Sequence, residues 1–142
     1  MHVHEAEAVE MVFFDIGGTL GERDPATGRL TPYETSAKLL DDVRRSVGLR
    51  IGIITTLGPT LTDADALALL DEAGLAAFLD PKGFVSDHGA GAAKPSAAIY
   101  RFAARRAGVA PSRCLYVGED LAEVLGALAA GMQAVLTPRV PA

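Results

Sequence analysis

The chain holds one cysteine, no tryptophan, no run of basic residues and no long apolar stretch. The lone Cys114 can form no internal disulfide and no thiol cluster around a metal, which points to a reducing compartment. It lies in the apolar run Cys114-Leu-Tyr-Val117, where a thiol behaves as a small inert hydrophobe. Positive charge is scarce as well. Lys and Arg number 13 against 18 Asp and Glu, for a net charge of −5, so a nucleic-acid surface is not expected. No apolar stretch reaches the ~20 residues of a membrane span. The start, Met1-His-Val-His-Glu-Ala-Glu, is polar and acidic, without the apolar centre of a leader peptide. The expected location is therefore cytoplasmic, with no membrane or nucleic-acid partner. His2 and His4 fall in this stretch and are read as part of a polar tail rather than as metal ligands. Against these absences, 49% of the 142 residues are hydrophobic and 22% charged, enough for one well-filled core.

Residues 1–10 read as a polar tail and 11–142 as one domain. Apolar runs at 11–14, 51–54, 114–117 and 133–136, and a weaker one at Phe84-Val85, predict strands. They lack polar alternation, as parallel strands covered on both faces do. Helical patterns lie between them. Thr31-Pro32-Tyr33-Glu34 has the form of a capping box with proline at the first helical position. It predicts a helix that buries Leu39, Leu40, Val43 and Val47 and stops at Gly48. A second helix is expected from Thr62 to Gly74, carrying Leu67 and Leu70. A third starts at Pro95, buries Ile99 and Phe102, and ends at Gly108. A fourth starts near Asp120, buries Leu121, Val124, Leu125 and Leu128, and ends at Gly131. Strands alternating with glycine-stopped helices predict an α/β fold, a three-layer α/β/α sandwich around a mainly parallel sheet. The polar, turn-rich segment at about 20–31 suits an exposed flap.

Ligands in such folds sit beyond the carboxyl ends of the strands. Met11-Val-Phe-Phe-Asp15-Ile-Gly17-Gly18-Thr19-Leu20 puts a carboxylate directly after a strand, ahead of a two-glycine turn with open amides. Asp15 there either bonds its own backbone in an Asx-type turn or faces a ligand as a nucleophile. Thr55 and Thr56 follow the second strand, Gly118-Glu119-Asp120 follows the fourth, and Lys94 precedes a helix start. Each has a plainer reading. Thr55 can simply end a strand, Lys94 can be a solvated lysine before a proline, and Asp120 with Glu123 has the spacing of a capping box. Glu22 and Thr56 are further candidates to face a substrate, whereas Arg44-Arg45 and Arg105-Arg106 are expected on solvated helix faces. Taken together, the strand-end residues suit phosphoryl chemistry. A lysine and a threonine hold a phosphoryl group, acids hold Mg²⁺, and Asp15 attacks phosphorus. In an acidic chain the cation also offsets repulsion of an anionic substrate.

The stretch around Asp15 resembles the first motif of the haloacid dehalogenase-like (HAD) hydrolase superfamily. Ile51-Gly-Ile-Ile-Thr55-Thr56 resembles its second motif, and Gly91-Ala-Ala-Lys94-Pro95 its third. Leu115-Tyr-Val-Gly118-Glu119-Asp120-Leu-Ala-Glu123, running into Gly126-Ala127 and Ala130-Gly131, resembles its acidic fourth. The likeness covers roughly residues 11–137 and implies a Rossmann-like core. It implies that Asp15 forms a phosphoryl-enzyme, that Thr55 and Lys94 complete the catalytic set, and that Mg²⁺ is bound by Asp15, the Gly17 carbonyl and Glu119. The substrate-binding set it implies is Ile16, Gly17, Gly18, Thr55, Thr56 and Lys94. Two positions depart from the pattern. The family's second aspartate, which protonates the leaving group and later activates water, is Gly17 here, and the usual Gly-Asp of the fourth motif is Gly118-Glu119. Loss of general acid–base help costs about 10²–10⁴-fold in rate.

The intervals between the motifs leave no room for an added cap domain, so the resemblance implies a capless core with an open site. The leading expectation is a slow Mg²⁺-dependent phosphohydrolase or phosphotransferase acting through Asp15 on a phosphorylated small molecule or protein, with homo-oligomer formation as one way to borrow a lid. The alternative is a catalytically silent module of the same fold that binds a phosphate compound or a protein. Dehalogenase chemistry ranks third, since it usually needs an apolar lid.

Overall fold

A computed structural model describes residues 7–46 and 48–138; Val47 and the stretch with His2 and His4 lie outside the described residues. Five strands form one parallel sheet: β1 (Met11–Phe14), β4 (Arg50–Thr55), β5 (Phe84–Ser86), β6 (Cys114–Gly118) and β7 (Gln133–Leu136). Their order is β5-β4-β1-β6-β7, so β1 is central, with Phe14 beside Ile53 on one side and Val117 on the other. A separate antiparallel hairpin, β2 (Gly21–Arg23) and β3 (Leu30–Pro32), follows β1. The helices are α1 (Ser36–Arg45), α2 (Asp63–Glu72), the short α3 (Asp87–Ala90), α4 (Ala97–Ala107) and α5 (Leu121–Ala129).

Alternation along β1 divides the interior into two cores. Met11 and Phe13 pack with Ile99, Tyr100, Val124 and Ala127 beneath α4 and α5. Val12 and Phe14 pack with Leu20, Leu40, Ile53 and Leu70 beneath α1 and α2. Successive residues of a strand point to opposite faces, so a strand covered on both sides is apolar throughout. The result is a three-layer α/β/α sandwich. Among the described residues, only the hairpin and α1 join β1 to β4, and no cap domain is present. No helix among them is long and apolar enough to cross a membrane.

Two local readings are corrected. Thr31-Pro32 does not open a helix: both residues lie in β3, where Thr31 pairs with Glu22 and Pro32 with Gly21. The helix begins at Ser36, with Thr35 at its N-cap and the Ser36 hydroxyl donating to the Leu20 carbonyl at 2.7 Å. Pairing with β2 outweighs the local capping pattern, and Pro32 is tolerated because the ribbon has only two strands. The second correction concerns which helix faces are buried. Leu39 and Leu67 are exposed, and on α5 so are Leu121, Leu125 and Leu128, while Val124 and Ala127 face inward. The reason lies at Gly126, where a Cβ would come 2.3 Å from the Pro95 carbonyl. The small-residue face lets α5 approach the Lys94–Pro95 loop closely, which turns the larger leucines outward. The strand at 133–136 forms as β7, but at the sheet edge its Val135 and Leu136 are exposed rather than covered. Two other local signals hold. Thr62 and Asp65 form a complete capping box on α2, and Gly108 ends α4 in the left-handed conformation.

Candidate active site

From β1 the chain winds through β4 to β5, then returns to β6 on the other side of β1. That reversal makes a crevice at the carboxyl ends of β1 and β6, where ligands of open α/β sheets sit. Asp15 stands at its mouth, its N–H donating to the Val117 carbonyl at 3.0 Å. The following turn is closed by the Ile16 carbonyl, which accepts from Thr19, Leu20 and Gly21. Gly18 takes φ +77° and donates its N–H to the Gly21 carbonyl at 3.0 Å. Of the three turn residues assigned to substrate binding, Gly18 therefore commits its N–H to the turn itself. No main-chain carbonyl among the described residues takes the Ile16 or Gly17 N–H. Gly17 is exposed, outside the left-handed region, and a Cβ there would meet nothing within 4 Å. Neither backbone nor space requires glycine at that position.

The Lys94 side chain is only 4% exposed, and its ammonium is held by three oxygens. It lies 2.8 Å from Asp15 Oδ1, 2.5 Å from Glu123 Oε1 and 3.1 Å from the Tyr116 hydroxyl. Tyr116 in turn donates to Glu123 Oε1 at 3.3 Å, and its ring lies beneath the ammonium at 5.5 Å. Burial, with the nearby Asp15 and Glu123 charges, pushes the Tyr116 phenol far above its ordinary range, so it stays protonated. The Tyr100 hydroxyl donates to the Glu123 carbonyl at 2.7 Å, fixing the first turn of α5. Asp120 caps α5 by accepting the Glu123 N–H at 3.1 Å. The predicted capping box is thus half present, because the Glu123 side chain turns to Lys94 instead. Tyr116 is the site residue that the sequence pattern missed. It sits in an apolar strand, and nothing local sets it apart from a core tyrosine.

The remaining predicted residues surround this cluster. Glu119 follows β6, and a Cβ on Gly18 would come 2.5 Å from its Oε1, so the absence of a side chain at Gly18 makes room for this carboxylate beside the Asp15 turn. Thr55 is buried at the end of β4. The Thr56 hydroxyl accepts the Lys94 N–H at 3.1 Å, tying the third motif to the second. Glu22 instead accepts from the Tyr33 hydroxyl on the hairpin. The buried Cys114 takes no part, and desolvation pushes its thiol up to about 11. Among the described residues no three His, Cys, Asp or Glu side chains form a ready metal cage.

Beside Thr55 and Gly17 opens a cleft of ≈ 190 Å³ lined by Ile16, Leu30, Leu57, Leu61, Leu69 and Leu70, among others. A larger hollow of ≈ 370 Å³ near Asp80, Phe84 and Arg106 contains none of the predicted site residues. The rim of the smaller cleft is held from β5 and α3. Asp87 accepts the Leu57 and Gly58 N–H groups at 2.8 and 3.3 Å, and a ring nitrogen of His88 lies 2.6 Å from the Gly58 carbonyl. Burial works against the charged form of Asp87, but those two amides, with the neighbouring His88 and its own backbone N–H, together hold its carboxyl below the usual range.

A parallel sheet with an aspartate after its central strand, facing a buried lysine at the switch point, defines a hydrolase core of the kind named by the resemblance above. The chain belongs to the haloacid dehalogenase-like hydrolase family, whose profile matches residues 22–131. It is 35% identical over 108 residues to a glyceraldehyde 3-phosphate phosphatase of Methanothermobacter thermautotrophicus, covering 75% of this chain and 45% of that protein. A HAD phosphatase from Thermococcus onnurineus is 30% identical, with a TM-score of 0.66 over 78% of this chain and 48% of that one. The L-2-haloacid dehalogenase of Xanthobacter autotrophicus, at 18% identity, shares the fold over 94% of this chain and 79% of its own, with a TM-score of 0.76. The chain thus spans about half the length of the two phosphatases it matches.

Proposed function

We propose that this chain is a Mg²⁺-dependent phosphohydrolase or phosphotransferase that works through an aspartyl phosphate on Asp15. The observation that carries the reading is the Lys94 ammonium, almost wholly buried and 2.8 Å from Asp15 Oδ1 at the sheet's switch point. A lysine there holds the carboxylate in place, and its charge faces the position an incoming phosphoryl group would take. The names of two similar proteins, both phosphatases, support the same chemistry.

In this scheme a carboxylate oxygen of Asp15 attacks phosphorus, and the bond from phosphorus to the leaving oxygen breaks. The leaving oxygen takes a proton from water, since Gly17 has none to give. Thr55 and the Ile16 and Gly17 amides donate to the phosphoryl oxygens. Water then attacks the phosphoryl-aspartate, inorganic phosphate leaves, the carboxylate is restored and a proton passes to solvent. The second step lacks a general base, so the phosphoryl-enzyme breaks down slowly and good leaving groups are preferred.

Asp15, Glu119 and the Gly17 carbonyl are hard oxygen donors at the crevice, the type Mg²⁺ takes when substrate phosphate and water complete its shell. Their fit rests on the Glu119 carboxylate being seated against Gly18 beside Asp15. Bound there, the cation would supply neutralisation of phosphoryl charge.

The silent-module reading keeps one specific support: Glu123 competes with Asp15 for Lys94 at 2.5 Å. Acetyl phosphate with Mg²⁺ separates the two. The enzyme should acquire a hydroxylamine-labile phosphoryl group at Asp15, seen by mass spectrometry and lost in Asp15→Asn. A folded protein that acquires none is the silent module.

A further inference from the structure

The cleft beside Thr55 lies where the body of a substrate would extend from a phosphoryl group at Asp15, and its walls have a consistent chemistry. The hairpin contributes Leu30, the loop after β4 contributes Leu57 and Leu61, and α2 contributes Ala66, Leu69 and Leu70. Of its three polar side chains, two are engaged or belong to the phosphate end. The Thr56 hydroxyl takes the Lys94 N–H, and Thr55 stands where the phosphoryl group would sit. Arg23 is the one charged residue in the lining, and its Nε donates back to the Gly28 carbonyl at 3.1 Å within the hairpin. The rest of its guanidinium, on an exposed residue, is the one polar group left free to face the cleft, against a lining otherwise dominated by leucines.

Resting on the phosphatase reading, we infer that the cleft is the leaving-group pocket and takes a small, hydrocarbon-bodied phosphate monoester, aryl or branched alkyl, rather than a polyhydroxylated one. Sugar or polyol hydroxyls placed against those leucines would lose water without gaining partners, which disfavours them. Apolar carbon would gain from leaving water, by about 0.8 kcal/mol per buried methylene. At ≈ 190 Å³ the cleft is smaller than the ~300 Å³ at which pockets for drug-sized ligands begin, so the body it accepts is small.

Phosphonates test the pocket without requiring turnover. Calorimetry in Mg²⁺ should find phenylphosphonate binding about tenfold or more tighter than methylphosphonate, the factor expected from burying about two methylenes' worth of surface. Leu61, half-buried in a loop, is the residue to change. Leu61→Asn should shrink the ratio to within about threefold, and Leu61→Trp, which fills the cleft, should do the same. Equal affinities in the wild type, no binding of either compound, or a ratio untouched by both variants would overturn the inference. The hydroxylamine-labile adduct decides the phosphatase reading separately. An adduct without the phenyl preference sinks the pocket alone, whereas the preference without an adduct leaves the pocket standing in a silent module.

Discussion

At the scale of single residues the site turns on one cation shared between two carboxylates. Lys94 pairs with both Asp15 and Glu123, so its removal leaves two mostly buried carboxylates without their cation. Breaking such a buried pair from one side costs about 3–5 kcal/mol. Lys94→Ala should therefore lower stability in urea by roughly that amount and reduce kcat/KM about 10²–10³-fold. A variant as stable and as active as the wild type would remove Lys94 from the mechanism. Gly17 is the opposite case, a place where something can be added. Its Cβ direction is open, so Gly17→Asp should fold normally. With acid–base help restored, that variant should speed breakdown of the phosphoryl-enzyme about 10²-fold or more. An unchanged rate in a folded variant would mean that Gly17 is not what limits turnover. Residue types were legible here to different degrees. Asp15, Thr55 and Lys94 stand at strand ends and loop starts that periodicity alone locates. The tie of Glu123 to Lys94 depends on α5 packing against the Lys94–Pro95 loop, a contact between segments distant in sequence, and so no local pattern carries it. Tyr116 was hidden for the same reason.

At the scale of elements, the loop after β4 is shaped by a helix of four residues. Asp87, at the start of α3, clamps the Leu57 and Gly58 amides and thereby sets the rim of the cleft. Loss of that acceptor leaves two amides to find other partners, at about 1–3 kcal/mol. The folded-state pKa of Asp87 lies below its unfolded value, so this stabilisation is fully present above the unfolded pKa and disappears as pH falls through the folded one. The stability gap between wild type and Asp87→Ala, measured by urea unfolding, should be constant from about pH 7 to 5 and close in more acid solution. A gap that persists below both values would assign the effect to packing rather than charge. The inner strands could be read from apolar runs because a doubly covered parallel strand has no polar side, whereas the edge strand β7 is apolar with Val135 and Leu136 exposed. Helix faces were read less well. On α5 the largest residues were taken as the buried ones, whereas close approach at Gly126 favours the small face. The start of α1 was misplaced because Thr31-Pro32 satisfies a capping pattern and also fits an edge strand, and only the hairpin pairing decides between them.

For the whole molecule, the winding β1-β4-β5 and then β6-β7 brings four sequence segments to one crevice. Strand order could not be read from periodicity, which reports burial and not neighbours; only the Rossmann-like core implied by the resemblance bears on it. The same winding leaves the site open, since among the described residues no domain is inserted over it. An open site with a lysine-paired aspartate and no acid at position 17 should form its covalent intermediate faster than it clears it. The decisive measurement is a rapid-mix time course with p-nitrophenyl phosphate and Mg²⁺, comparing wild type with Asp15→Asn. The account predicts a burst of p-nitrophenol close to one equivalent per chain, then slow turnover, with no burst in the variant. Turnover by the variant at the wild-type rate, or no product from a folded wild type that also fails to form the acetyl-phosphate adduct, would contradict it.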